Sequence, residues 1–221
     1  MRNYLSDNSQ IGEKIFILSK SQLTNGICNL FYTEKEDICK IKKYAYYMLS
    51  TLRYASILEN SLRLENCDIT ALFISQTSAA AYIAGQKGKS VLIEPPRSSC
   101  PVSCCPQLLE YAVLILIYCG LIQNEENEAV NIGMKIRKSA AEIYCNSSMP
   151  NKDSMEYLIL KKAAETHGGR LIGYGDRAAN KAIISFPLGH TDKNLKNYDM
   201  LFPADIVTDK FSSAAVILSQ I

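Results

Sequence analysis

Two histidines and eight cysteines are the side chains of this 221-residue sequence best suited to nucleophilic or metal chemistry. A neutral imidazole can carry a proton or a phosphoryl group, and a thiolate can attack or ligate. The histidines are His167, in "AETHGGRL", and His190, in "PLGHTDKN". The cysteines are Cys28, Cys39, Cys67, Cys100, Cys104, Cys105, Cys119 and Cys145, and none of them makes a Cys-x-x-Cys pair. The one cluster, "CPVSCC", has no histidine near it in sequence. Zinc wants four nitrogen or sulfur ligands at paired spacings, so no metal site is expected. The cysteines read as reduced thiols serving as small buried apolar groups, with a redox role for Cys104 and Cys105 left open.

Composition limits the partners. A hydrophobic share of 48% with 21% charged residues belongs to an ordinary globular chain. A formal charge of +2 without a Lys/Arg-rich block gives a polyanion nothing to hold, so no nucleic-acid partner is expected. The first residues, "MRNYLSDNSQIGEK", lack the apolar stretch of a signal peptide. The longest apolar run, "LLEYAVLILIYCGLI", contains Glu110 and falls short of the ~20 residues that span a bilayer. It reads as a buried core helix, and the expectation is a cytoplasmic protein with no membrane partner.

Two kinds of element must position these side chains. Thr33 and Glu36 in "TEKE" form a capping box. After them Ile38, Ile41, Ala45, Met48, Leu52, Ala55 and Leu62 recur at spacings of three and four, a heptad seam broken only by Glu59. Upstream, Ile11, Ile15, Leu18, Leu23, Ile27 and Leu30 form a second apolar stripe. The two stripes predict an antiparallel helical hairpin over 1–66, which exposes enough seam to call for a second copy and a four-helix bundle. The pattern then changes. Asp68 caps a helix that runs to the glycine break at 85–88, "SVLIEP" reads as a strand and "RSSCPVSCC" as a loop, and Pro106 suits the first turn of the apolar helix. "AVNIGMKIRKSAAEIYC" predicts a β-hairpin turning near Lys138 and Ser139. Asp153 and Glu156 cap a further helix that stops at Gly168 and Gly169, and "RLIGYG" and "KAIISFPL" supply a last strand pair. Helices packed against a mostly antiparallel sheet make the fold class α+β. The expected divisions are a hairpin at 1–66, a sandwich domain at 67–190 and an extension at 191–221.

This order of elements resembles the cytoplasmic core of sensor histidine kinases, a dimerising hairpin followed by a GHKL-type ATPase domain. "YLILKKAAETHGGRL" is similar to that family's helix ending in Glu-x-His-Gly-Gly, and "KAIISFPL" to the strand after it. The resemblance implies a phosphoacceptor histidine, an Mg-ATP site and a response-regulator partner. The sequence departs from each motif that carries the chemistry. The phosphoacceptor motif overlays "KSQLTNGI" and puts Ser21 at the histidine position, with no histidine anywhere before His167. A hydroxyl lacks the nitrogen that accepts the phosphoryl group. The asparagine box falls on "ILIYCG", where its asparagines become Ile115 and Cys119, a poor exchange for a cation that wants oxygen. The Asp-x-Gly-x-Gly motif falls on "CNSSM", giving Cys145, Ser147 and Met149. The last glycine motif falls on "SMEY", with Ser154 and with Glu156 set to repel phosphate. Only 150–153 separate these two motifs, so the usual ATP lid is missing.

The expectation is therefore a degenerate histidine-kinase-like protein of two-component signalling, without cofactor, metal or catalytic residues, acting as a homodimer. Its partner would be a receiver domain or another histidine kinase, docked at Lys20, Ser21, Gln22, Thr24 and Asn25 on the exposed flank, or at Lys40, Lys42 and Lys43 with their tyrosine neighbours. One alternative is a divergent but active ATP-dependent kinase using Mg-ATP. A phosphotransferase of the sporulation type would need the histidine that Ser21 replaces. A further alternative is a binding module for hydrophobic metabolites, its pocket lined by Ile115, Cys119, Cys145, Met149 and Met155; otherwise those side chains fill the space. His167 reads as a helix C-terminal residue that complements the dipole, with Gly168 as the stop, and His190 as a solvated residue in a polar connection.

Overall fold

An apolar run with no polar stripe has to be covered on every side. The computed structural model describes residues 17–18, 20–26, 38–59, 63–124, 128–176, 179–189, 191, 193–194 and 196–221. In chain order the elements are α1 (Ile38–Glu59), β1 (Glu65–Asp68), α2 (Ile69–Gly85), β2 (Val91–Glu94), β3 (Pro101–Cys104) and α3 (Pro106–Gln123). There follow β4 (Val130–Ile136), β5 (Ala140–Cys145), α4 (Met155–Thr166), β6 (Arg170–Asp176), β7 (Ala179–Pro187), α5 (Pro203–Thr208) and α6 (Ser213–Leu218). Helical backbone also runs over 20–26. The capping box at Thr33 and Glu36, the stripe positions Ile11, Ile15, Ile27, Leu30 and Leu62, and His190 lie outside the described residues.

Five strands form one sheet in the order β2-β4-β5-β7-β6, with β2 parallel to β4 and the other pairs antiparallel. The expected hairpin is the β4–β5 pair, closed where the Arg137 N–H donates to the Ala140 carbonyl. The apolar run is α3, in which every residue from Tyr111 to Ile117 is buried. One side lies on β4 and β5, and α2, α4 and α6 cover the rest. Gly120 lets the helix approach the sheet: a Cβ there would come within 2.8 Å of a Val130 methyl. It is the described helix long and apolar enough to cross a membrane, and here it is the core of the fold.

Asp68 begins α2 as expected and does more. It accepts from the Thr70 and Ala71 N–H groups of the helix, from the Cys100 N–H and from the Ser99 hydroxyl. One carboxylate thus joins the helix start to the segment that leads into β3. Burial alone would raise its pKa, but these four donors outweigh that and hold it below the ordinary carboxylate value.

Two expectations need correction. The "RSSCPVSCC" segment is not all loop, because Pro101–Cys104 pairs antiparallel with β1 in a two-stranded ladder. Pro101 takes the first position of that strand, where a missing N–H costs little, and Cys67, Val102 and Cys104 turn into the core. The cap of α4 is Ser154 rather than Asp153, its hydroxyl accepting from the Tyr157 N–H. The sandwich is met by a different side of α1 from the seam, which was expected to face other helices. Ala45 is exposed and Leu52 is 52% exposed, while Ser50, Thr51 and Tyr54 are buried. Tyr54 packs edge-on against Tyr111 of α3 at 5.5 Å, and Ser50 accepts from Gln220 in the tail.

The tail packs as part of the core. Ile206, Ala214, Ile217 and Leu218 belong to the same buried cluster as α3. Lys87 donates to the Leu218 and Ile221 carbonyls at 2.8 and 3.1 Å, closing the tail onto the end of α2. Asp68→Ala should lower unfolding free energy by about 1–2 kcal/mol, the usual worth of a helix cap. Asp68→Asn should lose less. Urea denaturation of both variants checks the order.

Candidate functional site

The positions expected to carry the family's motifs lie in a packed interior. Ile115 and Cys119 lie on the C-terminal half of α3, Cys145 ends β5, and Ser147 and Met149 lie on the connection to α4. Ile115 and Cys145 are fully buried, as is Met155 in the first turn of α4, and Cys119 and Ser147 are nearly so. Met149 is half-buried and lies over Gly173 of β6, where a Cβ would come within 2.3 Å of its Cγ. Ser154 is spent on capping α4.

The electrostatics of this cluster suit packing. Burial pushes the Cys145 thiol up to about 12, with the Asn146 backbone N–H opposing it more weakly. Burial, then the Glu156 charge and Cys145, push Cys119 up further. Both are thiols at neutral pH, and a thiol is neither a good nucleophile nor a metal ligand. Glu156 stands in the first turn of α4, where a carboxylate favours the helix dipole. Its charge adds to burial in raising the Tyr47 and Tyr54 phenols of α1 and the Tyr118 phenol of α3, the last to about 12. Among the described residues no group of three or more His, Cys, Asp or Glu side chains could hold a metal ion.

"ETHGG" has a structural explanation residue by residue. His167 caps the C-terminus of α4, as expected, but it does not act as a cation on the helix dipole. The Cys105 backbone N–H donates to Nε2 at 3.0 Å, and Nδ1 donates to the Ala163 carbonyl at 2.7 Å. Accepting at Nε2 requires a neutral ring. Burial lowers its pKa, only partly offset by the Ala163 carbonyl. The imidazole therefore braces the end of α4 to the residue that precedes α3. Gly168 follows with φ of +67°, the left-handed stop. Gly169 then passes β7 so closely that a Cβ would sit 2.0 Å from the Ser185 carbonyl oxygen.

The expected docking residues divide. Lys20, Ser21, Thr24 and Asn25 are exposed and line a shallow cleft of about 480 Å³ with Ile17. Gln22 instead turns toward α1, where its Oε1 accepts from the Thr51 hydroxyl at 3.2 Å. The sequence reading overlooked one polar cluster: Glu110, Tyr198 and Gln76 meet near the N-terminal end of α3. The signal available was a lone carboxylate inside an otherwise apolar helix.

No family model matches the sequence, and no curated protein matches it. Solved structures do resemble the fold. The Acinetobacter baumannii histidine kinase AdeS aligns with 80% of this chain and 96% of its own, at a TM-score of 0.55 and 12% identity. A nucleotide-free form of the catalytic domain of histidine kinase ThkA aligns with 57% of this chain and 97% of its own, at a TM-score of 0.50 and 11% identity. At such identities the likeness establishes the fold, which is that of histidine kinase catalytic domains.

The His167 brace has a pH signature. Because its folded pKa lies below the ordinary 6.5, the unfolded chain takes up the proton first as pH falls. Its contribution to stability is complete above about pH 6.5 and is lost as pH falls below it. Unfolding free energy should therefore drop between about pH 7 and pH 5, and this drop should be smaller in His167→Gln. Equal slopes in urea titrations of the two proteins would refute the brace.

Proposed function

We propose that this chain is a degenerate histidine-kinase-like protein of two-component signalling that neither binds Mg-ATP nor phosphorylates itself, and that works through protein contacts. The observation that carries this reading is the donor set where the nucleotide would sit. Magnesium takes oxygen ligands in near-octahedral array. Ile115, Met149 and two buried thiols held protonated offer it none. Glu156 would present a negative charge to phosphate, and the connection from β5 to α4 is too short to hold a lid. The residues do not fit the nucleotide, and filling of the cleft by its own side chains is the simpler account of their burial.

The partner surface follows from the helical part. Gln22 meets Thr51, and Gly26 lies so near Met48 that a Cβ would come within 2.7 Å of it. As the first segment advances the second recedes, which supports an antiparallel hairpin. Leu52 and Ala45, on the side of α1 turned away from the sandwich, are then available to a second copy. Lys20, Ser21, Thr24 and Asn25 offer an exposed polar flank to a receiver domain or to another histidine kinase.

Isothermal titration of the folded protein with Mg-ATP should give no binding heat up to about millimolar ligand, a bound weaker than roughly −4 kcal/mol. One-site binding would instead put the divergent active kinase first. Light scattering at micromolar concentration should report a dimer, shifted toward monomer by Leu52→Glu. A monomeric wild-type protein would rule out the bundle.

A further inference from the structure

A cleft of about 790 Å³ opens near the N-terminal end of α3, roughly 13 Å along the helix from the buried thiols. Its size lies within the range of small-molecule sites. Its walls come from α1, α2, the first turns of α3 and the tail from Tyr198 to α6. The floor is polar. Glu110 accepts from the Tyr198 hydroxyl and from the Gln76 side-chain amide. Gln76 is 4% exposed, and its Oε1 has no hydrogen-bond partner among the described residues.

The lining has a surplus of acceptors. Four carboxylates, Glu65, Glu110, Asp205 and Asp209, face two guanidinium groups, and Arg53 already bonds the Tyr111 hydroxyl. Burial raises the Glu110 pKa, only partly offset by Tyr198 and Gln76. The buried Gln76 oxygen lacks a hydrogen-bond donor, and the largely buried Glu110 is held by two neutral donors rather than by an ion pair among the described residues. One group supplies both a positive charge and several N–H donors: an ammonium. Higher up, Ile57, Leu201 and Phe211 give the cleft apolar surface, with Leu201 and Phe211 more than half exposed.

We propose that this cleft binds a small organic cation through a primary ammonium group, with Glu110 and the Gln76 Oε1 as acceptors and Leu201 and Phe211 against its alkyl part. The site is separate from the degenerate nucleotide positions and does not depend on how those are read. Because Arg53 and Ile57 of α1 form one wall, an occupant touches the helical part and the sandwich together.

The test uses the full chain. n-Butylammonium and putrescine are titrated calorimetrically at about 150 mM salt, which screens attraction to exposed carboxylates. 1-Butanol serves as the uncharged analogue. Both amines should bind at one site, and the alcohol at least about tenfold more weakly. Glu110→Gln keeps the shape and removes the buried charge, and should weaken the amines by about tenfold or more. Asp205→Asn, at an exposed position, should weaken them by about two- to threefold and serves as the second variant if Glu110→Gln does not fold. Absence of heat with either amine up to about 10 mM overturns the proposal. Equal binding of the alcohol, or unchanged affinity in a folded Glu110→Gln protein, does so too.

Discussion

The constraint on which the structure depends is that α3 has no face it can show to water. Nearly two consecutive turns are buried all round, so the sheet, α2, α4 and the tail have to be in place together. An amphipathic helix could have rested on the sheet alone with its other side solvated. This one requires a layer on each side, and the tail belongs to that requirement: Ile217 and Leu218 complete a surface that the sandwich leaves open. Gly120 sets the spacing between helix and sheet, and the buried thiols of Cys119 and Cys145 fill the space that remains beside it.

Much of this was legible in the sequence because it rests on local chemistry. Asp68 before an apolar run, Pro106 at a helix start, the alternation on both sides of Lys138 and the glycine pair after His167 each state their structure within a few residues. What escaped depends on distant partners. β1 and β3 are four residues each, with compositions of Glu, Asn, Cys and Asp or Pro, Val, Ser and Cys, and they become strands because each supplies the other's ladder, with Lys196 and Tyr198 of the tail bonding Asn66 on the far side of β1. The seam on α1 was read from spacing alone, and spacing does not say which neighbour an apolar stripe meets. Ser50 is buried where Gln220 of the tail bonds it, and Thr51 where it bonds Gln22 of the first helical segment.

The candidate site divides along the same line. That its positions would carry the family's motifs is an expectation of the resemblance, and that their side chains are soft and apolar followed from the letters. The neutrality of His167 could not be read, because it depends on a backbone N–H that lies 62 residues away at Cys105. Likewise, Glu110 and Tyr198 are 88 residues apart, and their bond appears only once the tail has folded back over α2. A histidine followed by two glycines is thus accounted for by a hydrogen bond, a left-handed residue and a close backbone approach, with no reaction required.

The position of α5 and α6 in the chain has a consequence for synthesis. They leave the ribosome after every element they cover, so the nascent sandwich waits with one side of α2 and α3 bare. At about 5–20 residues per second that interval lasts a few seconds, long compared with the collapse of a chain this size. During it an apolar surface of almost helix length is open to chaperones and to other nascent chains. A truncation or a stalled ribosome near residue 200 would therefore yield a sticky, nearly complete fold, and proteolytic quality control has there a clear mark of an unfinished molecule.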